Sequence, residues 1–186
     1  MRLDDLNTLS PHIAVREFLR CCGSTKWARA MAAARPFATI EAIYAASDKI
    51  DGSLEPSDWI EAFHAHPRIG ERAAAGRAGR AEKAGTAGRA GKARRVDARA
   101  SWSNEEQAGA RGASEAVRDR LAALNRDYEA RFGYIFIVCA TGKTADEMLA
   151  ELERRLAHSA SEELPVAAAE QRKITHLRIA KLLGGE

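Results

Sequence analysis

His66 is the side chain whose type and setting point most directly to chemistry in this sequence. It lies in Ala65-His66-Pro67-Arg68-Ile69-Gly70, after an aromatic-rich helical run. Pro67 fixes its own φ and pushes His66 towards extended geometry, so the imidazole is presented from a helix exit with little freedom. Alone, the stretch also reads as a helix stop with a half-buried terminal histidine. Two further polar groups have no obvious need to exist for folding: Ser103, Glu106 and Gln107, and the single Arg178. Together the three offer a general acid/base, a carboxylate to orient it, a hydroxyl and an amide for a polar substrate, and a guanidinium for an anionic group.

Competing chemistries fit less well. His64 and His66 have the spacing of a metal pair in extended structure. A helix exit weakens that geometry, and no cysteine or third histidine lies nearby in sequence, so no metal is expected. A serine hydrolase would want a Gly-x-Ser-x-Gly elbow, which does not occur. Thr141-Gly142-Lys143-Thr144 resembles a phosphate loop only until position 137, where the pattern needs glycine and the chain has isoleucine.

The elements that must position these residues read as helices. Hydrophobic content is 46% with aromatics at 6%, an alanine- and leucine-rich balance that suits helix over strand. Ser10-Pro11 looks like an N-cap with proline at N1, opening a helix that carries Ile13, Phe18, Leu19 and Cys22 and closes at Gly23. Ser24 can cap a run with Trp27, Ala30, Met31 and Ala34 on one face, stopped by Pro36, and Ile40, Ile43, Tyr44 and Ser47 form the next stripe. Glu55-Pro56-Ser57-Asp58 opens the helix whose Trp59, Ile60 and Phe63 face inwards and whose end delivers His66. Ser103 and Glu106 also have the form of a capping box, before the clearest stripe in the chain: Ala113, Val117, Leu121, Leu124, Tyr128 and Phe132.

Tyr134 to Ala140 is a short β-branched and aromatic run between Gly133 and Gly142, either extended and buried or the start of a buried helix. Thr144 and Glu147 form a second capping box, for a helix with Met148, Leu149, Leu152 and Leu156 inwards and Glu151 and Arg155 at its surface. A last helix is expected after Pro165, with Ile174, Leu177, Ala180 and Leu182 inwards and Arg178 beside the stripe.

From Glu71 to Ala100 the composition changes to alanine, glycine, arginine and lysine, which cannot bury a face. A mobile basic surface loop is expected there. It holds more positive charge than the net +3 of the whole chain. It could grip nucleic acid or an acidic partner, making an α-helical interaction module the alternative reading. The run has no interleaved aromatics for base stacking, so nucleic acid is not the expected partner. Three cysteines, an odd count without metal-ligand spacing, fit reduced thiols. The absence of a signal-like N-terminus or an apolar span leads to the expectation of a cytoplasmic chain with no membrane partner.

One family draws these pieces together. His66-Pro67-Arg68-Ile69-Gly70, then Ser103-x-x-Glu106-Gln107-Ala108-Gly109, then Leu124-Asn125-x-x-Tyr128-Glu129-x-Arg131-Phe132-Gly133-x-x-Phe136-Ile137-Val138-Cys139-Ala140, then Ile174-x-x-Leu177-Arg178, resemble OHCU decarboxylase in the expected order. The full name is 2-oxo-4-hydroxy-4-carboxy-5-ureidoimidazoline decarboxylase. The resemblance implies an all-α, single-domain helical bundle over residues 1–186, with 71–100 as a loop insertion. It also implies a homodimer, and cofactor-independent decarboxylation of that small molecule to (S)-allantoin and carbon dioxide in urate degradation. By the same resemblance His66 and Glu106 are catalytic, and Pro67, Ser103, Gln107, Phe136, Ile137, Val138 and Arg178 bind substrate. The stretch between His66 and Glu106 is longer than the usual family connection.

Overall fold

The computed structural model describes residues 1–68, 102 and 113–184. The basic stretch 71–100 and the Ser103, Glu106 and Gln107 group lie outside the described residues. Eight helices and no strand occur among the described residues, as the all-α expectation has it: α1 Leu3–Thr8, α2 Pro11–Cys21, α3 Thr25–Ala33, α4 Ile40–Asp51, α5 Pro56–His64, α6 Glu115–Phe132, α7 Ala145–Arg155 and α8 Ala160–Leu182. The chain groups into two compact units. One comprises Met1–Ala65, Ile137–Cys139 and His158–Glu186, and the other His66–Phe136 and Ala140–Ala157.

In the first unit α2 packs on α3 and α8, α3 on α4 and α5, and α8 on α4 and α5. The core is aromatic at its centre. Phe18 meets Trp27 edge to face at 5.8 Å and Phe37 at 6.4 Å, a geometry that sets a ring edge against a π face. Ser24 caps α3 by accepting from the Trp27 amide, as expected. Ser10 is the N-cap of α2, but its hydroxyl lies against His12 and caps nothing, leaving Pro11 at N1 as the start signal. The buried face of α3 is Trp27, Ala28, Met31 and Ala32, which leaves the expected Ala30 half-buried and Ala34 exposed. On α4, Ile40 is exposed and the stripe runs instead through Ile43, Ser47 and Asp51.

α8 departs most from expectation. It starts at Ala160, so Pro165 lies inside it. The start signal is a capping box: Ser159 accepts from the Glu162 amide while the Glu162 carboxylate accepts from the Ser159 amide. Its buried stripe takes in Glu163, Ala167, Glu170, Gln171, Ile174, Thr175, Arg178, Ile179 and Leu182. Arg178 is therefore within the stripe, while Leu177 and Ala180 are only half-buried.

In the second unit α6 packs on α7. α6 begins at Ser114, whose hydroxyl accepts from the Val117 amide, so Ala113 precedes the helix. Leu121, Leu124, Asn125 and Tyr128 are buried, and Gly133 ends α6 at φ 79, a left-handed position that favours glycine. Thr144 and Glu147 form the expected box on α7, with Met148 and Leu152 inwards. Arg155 is not at the surface: it is fully buried, its guanidinium 4.6 Å from the Phe136 ring centroid and 3.3 Å from the Tyr128 hydroxyl. Glu151 lies 3.5 Å from it, on the preceding turn of α7.

Candidate functional site

The second unit holds the histidine arm. His66 is half-buried and Pro67 exposed, both in non-helical backbone two and three residues after α5. Arg68 turns towards α6 and grips Glu129 with two nitrogens. Its Nε donates to Oε2 at 2.9 Å, and its Nη2 to Oε1 at 3.0 Å and Oε2 at 2.7 Å. A fork of this kind fixes orientation as well as distance, because guanidinium and carboxylate are both planar. Both side chains stay more than a third exposed, so the pair contributes geometry more than stability. It joins the first and third motifs, 61 residues apart. Neither Arg68 nor Glu129 had been singled out as a site residue, and no local pattern relates them.

Phe136 belongs to the same unit. Its ring meets Tyr128 edge to face at 5.4 Å, and Arg155 sits on it. Tyr128 also meets Phe132 at 4.6 Å and Tyr134 at 5.9 Å, so the ring cluster and the buried cation hold Phe136 from several sides. Removing Arg155 would leave Glu151 facing Lys143 alone, its other cationic contact.

The first unit holds Ile137, Val138 and Arg178. Tyr134 to Val138 are buried and non-helical, so this segment is not the start of a buried helix. Buried backbone without a strand partner must find its hydrogen bonds elsewhere. One comes from α8, where the Glu170 carboxylate accepts from the Cys139 amide at 2.8 Å. Glu170 is itself buried, 6% exposed, and takes a second bond from Lys173 at 2.5 Å. Arg178 is fully buried two turns further along α8, and between them Gln171 and Thr175 bond to one another at 3.2 Å. No local sequence pattern relates Glu170 to this segment. Its bond to Cys139 spans 31 residues and leaves no periodic trace.

His66 and Pro67 thus stand beside the Arg68 fork in one unit, and Ile137, Val138 and Arg178 share the other. Ser103, Glu106 and Gln107, and with them the pairing of Glu106 with His66, lie outside the described residues. Among the described residues no group of three or more histidine, cysteine or acidic side chains is arranged to hold a metal ion, and no helix is long and apolar enough to cross a membrane. The cysteines are free thiols.

Relatives share both the sequence and the fold. Residues 7–180 match the family model for OHCU decarboxylase. The uric acid degradation bifunctional protein TTL of Arabidopsis thaliana is 37% identical over 174 residues, 94% of this chain, although that stretch is only 48% of the plant protein's length. The 2-oxo-4-hydroxy-4-carboxy-5-ureidoimidazoline decarboxylase of Haloferax volcanii is 25% identical over 189 residues and covered to 98%. A crystal structure of OHCU decarboxylase in the presence of (S)-allantoin superposes with a TM-score of 0.71 at 33% identity, covering 91% of this chain and 98% of that one. On the family match and this near-complete overlap, the chain belongs to the OHCU decarboxylase family.

Proposed function

We propose that the chain decarboxylates 2-oxo-4-hydroxy-4-carboxy-5-ureidoimidazoline to (S)-allantoin and carbon dioxide, a step of urate degradation. The observation that carries this reading is the 98% coverage, at 33% identity, of a solved OHCU decarboxylase.

The substrate supplies its own electron sink. When carbon dioxide leaves, the electron pair of the breaking C–C bond flows into the neighbouring ring C=N, and a proton delivered to one face of the resulting centre fixes the hand of the product. The protein's task is then placement and proton transfer. In this reading His66 is the general acid/base, relaying a proton between the substrate's hydroxyl and the ring. Glu106 orients the imidazole or the substrate. Arg178 holds a carbonyl or carboxyl oxygen with charge-assisted hydrogen bonds. Ser103, Gln107, Pro67 and Phe136 bind around the ring and the ureido arm, with the backbone of Ile137 and Val138 meeting the amide groups.

The burial of Ile137, Val138 and Arg178 supports those roles, since a substrate meeting them there would leave water. The reading takes residues 1–186 as one catalytic domain of a cytoplasmic homodimer, needing no cofactor.

Replacing His66 tests the assignment. His66→Asn should keep the fold, by circular dichroism, and lose turnover by roughly 10²–10⁴-fold, the range for a positioned general acid/base. Full rate and optically pure product from a folded His66→Asn protein would sink it.

A further inference from the structure

We infer that Glu170 is a positioning residue for substrate: it sets the plane of the Val138–Cys139 peptide and thereby aims the Val138 carbonyl. The inference rests on the functional reading above, in which the backbone of this segment meets the substrate's amide groups.

The Cys139 amide donates to the Glu170 carboxylate at 2.8 Å. That N–H shares a planar, trans peptide with the Val138 carbonyl, which therefore points the opposite way. Fixing the donor on α8 fixes the acceptor's direction. In a strand the neighbouring strand would perform this task. Here the segment is non-helical and lies in no strand among the described residues, and the Glu170 carboxylate accepts from its Cys139 amide.

Glu170 is suited to the role by its own constraints. It is 6% exposed on the buried stripe of α8, so its carboxylate is not free to swing into water. Lys173, one turn on, bonds its Oε1 and leaves Oε2 for the Cys139 amide. Positions 170, 174 and 178 follow in steps of four along one side of α8, roughly 12 Å from first to last, and all three are buried. The helix that presents Arg178 thus also sets the direction of the peptide at Val138. A carboxylate on the N–H side also polarises the peptide, making its carbonyl a stronger acceptor for an N–H of the ureido arm or ring. A carbonyl accepts only from N–H or O–H, so a rotated peptide would present the wrong group.

The test compares Glu170→Gln, whose amide oxygen can still accept from Cys139, with Glu170→Leu, which cannot. Both are measured on the full chain, with substrate generated in situ. Hydrogen exchange at the Cys139 amide reports the bond itself, and circular dichroism reports folding. Folded Glu170→Leu should exchange Cys139 at least tenfold faster and raise KM about tenfold with kcat changed less than threefold. Glu170→Gln should restore KM to within about threefold of wild type. Should Glu170→Leu fail to fold, Glu170→Gln and Glu170→Asp decide: the shorter Asp must raise KM where Gln does not. Wild-type turnover with an unchanged KM in a folded Glu170→Leu or Glu170→Asp protein overturns this inference alone. No turnover in the wild-type chain overturns the functional reading and this inference with it.

Discussion

Single residues here depart from what their types lead one to expect, and each departure has a physical cause. Asp51 closes α4 yet is 3% exposed, and burial pushes its carboxyl up to about 7, even though Arg172 lies 3.4 Å away and pulls the other way. Asp48, on the same turn, adds a like charge, and it is itself engaged by His176 at 2.9 Å. Because the folded value is raised, folded Asp51 keeps a proton between about pH 4 and pH 7 that the unfolded chain has released. Its contribution to stability is therefore greatest below that window and falls as pH rises through it. Asp51→Asn should remove the loss, raising Tm by several degrees at about pH 8 and little at about pH 4. Thermal melts at the two pH values check this, and an equal shift at both would contradict it. None of this was legible in the sequence, where Asp51 looks like an ordinary polar residue at a helix end. Arg155 shows the same limit: periodicity placed it outside, but a guanidinium can lie on aromatic faces, and Phe136 and Tyr128 are brought to it from elsewhere in the chain.

Elements were more legible than residues, because the signals that start and stop them are local. Ser24 and Thr144 cap the helices expected of them, and Gly133 adopts the left-handed turn that ends α6. Where local signals compete, the reciprocal box prevails: Ser159 with Glu162 starts α8 ahead of Pro165, which lies inside the helix and gives up the amide bond to the Ser161 carbonyl. The segment from Tyr134 to Ala140 carries no local signal that separates extended from helical states, and a bond that reaches it comes from a carboxylate 31 residues away. A close approach between elements is equally hidden. A Cβ at Gly23 would lie 2.4 Å from the Ala65 Cβ and 3.1 Å from the Ala62 carbonyl oxygen, so the entry to α3 presses on the exit of α5 just before His66. Gly23→Ala should cost roughly 1–3 kcal/mol, or a Tm loss of roughly 3–10 °C. Combining it with Ala65→Gly should recover part of that loss, and a Gly23→Ala protein that melts like wild type would refute the contact.

At the scale of the molecule, the family and its all-α fold were legible because four motifs fall in order along almost the whole chain. The grouping of the chain into two compact units was not, since Ile137–Cys139 joins a different unit from the residues on either side of it. Nor do hydrophobic periods reveal the Arg68 fork or the Glu170 bond, two contacts that reach the stretches carrying proposed site residues. What those residues accomplish together is read directly from the stereochemistry of the product. The unstable ureidoimidazoline is generated in situ from urate, and circular dichroism follows the handedness of the allantoin formed with and without the protein. Faster decay with the protein present and a single, (S)-handed product are expected. Decay at the uncatalysed rate to racemic allantoin would contradict the proposed function.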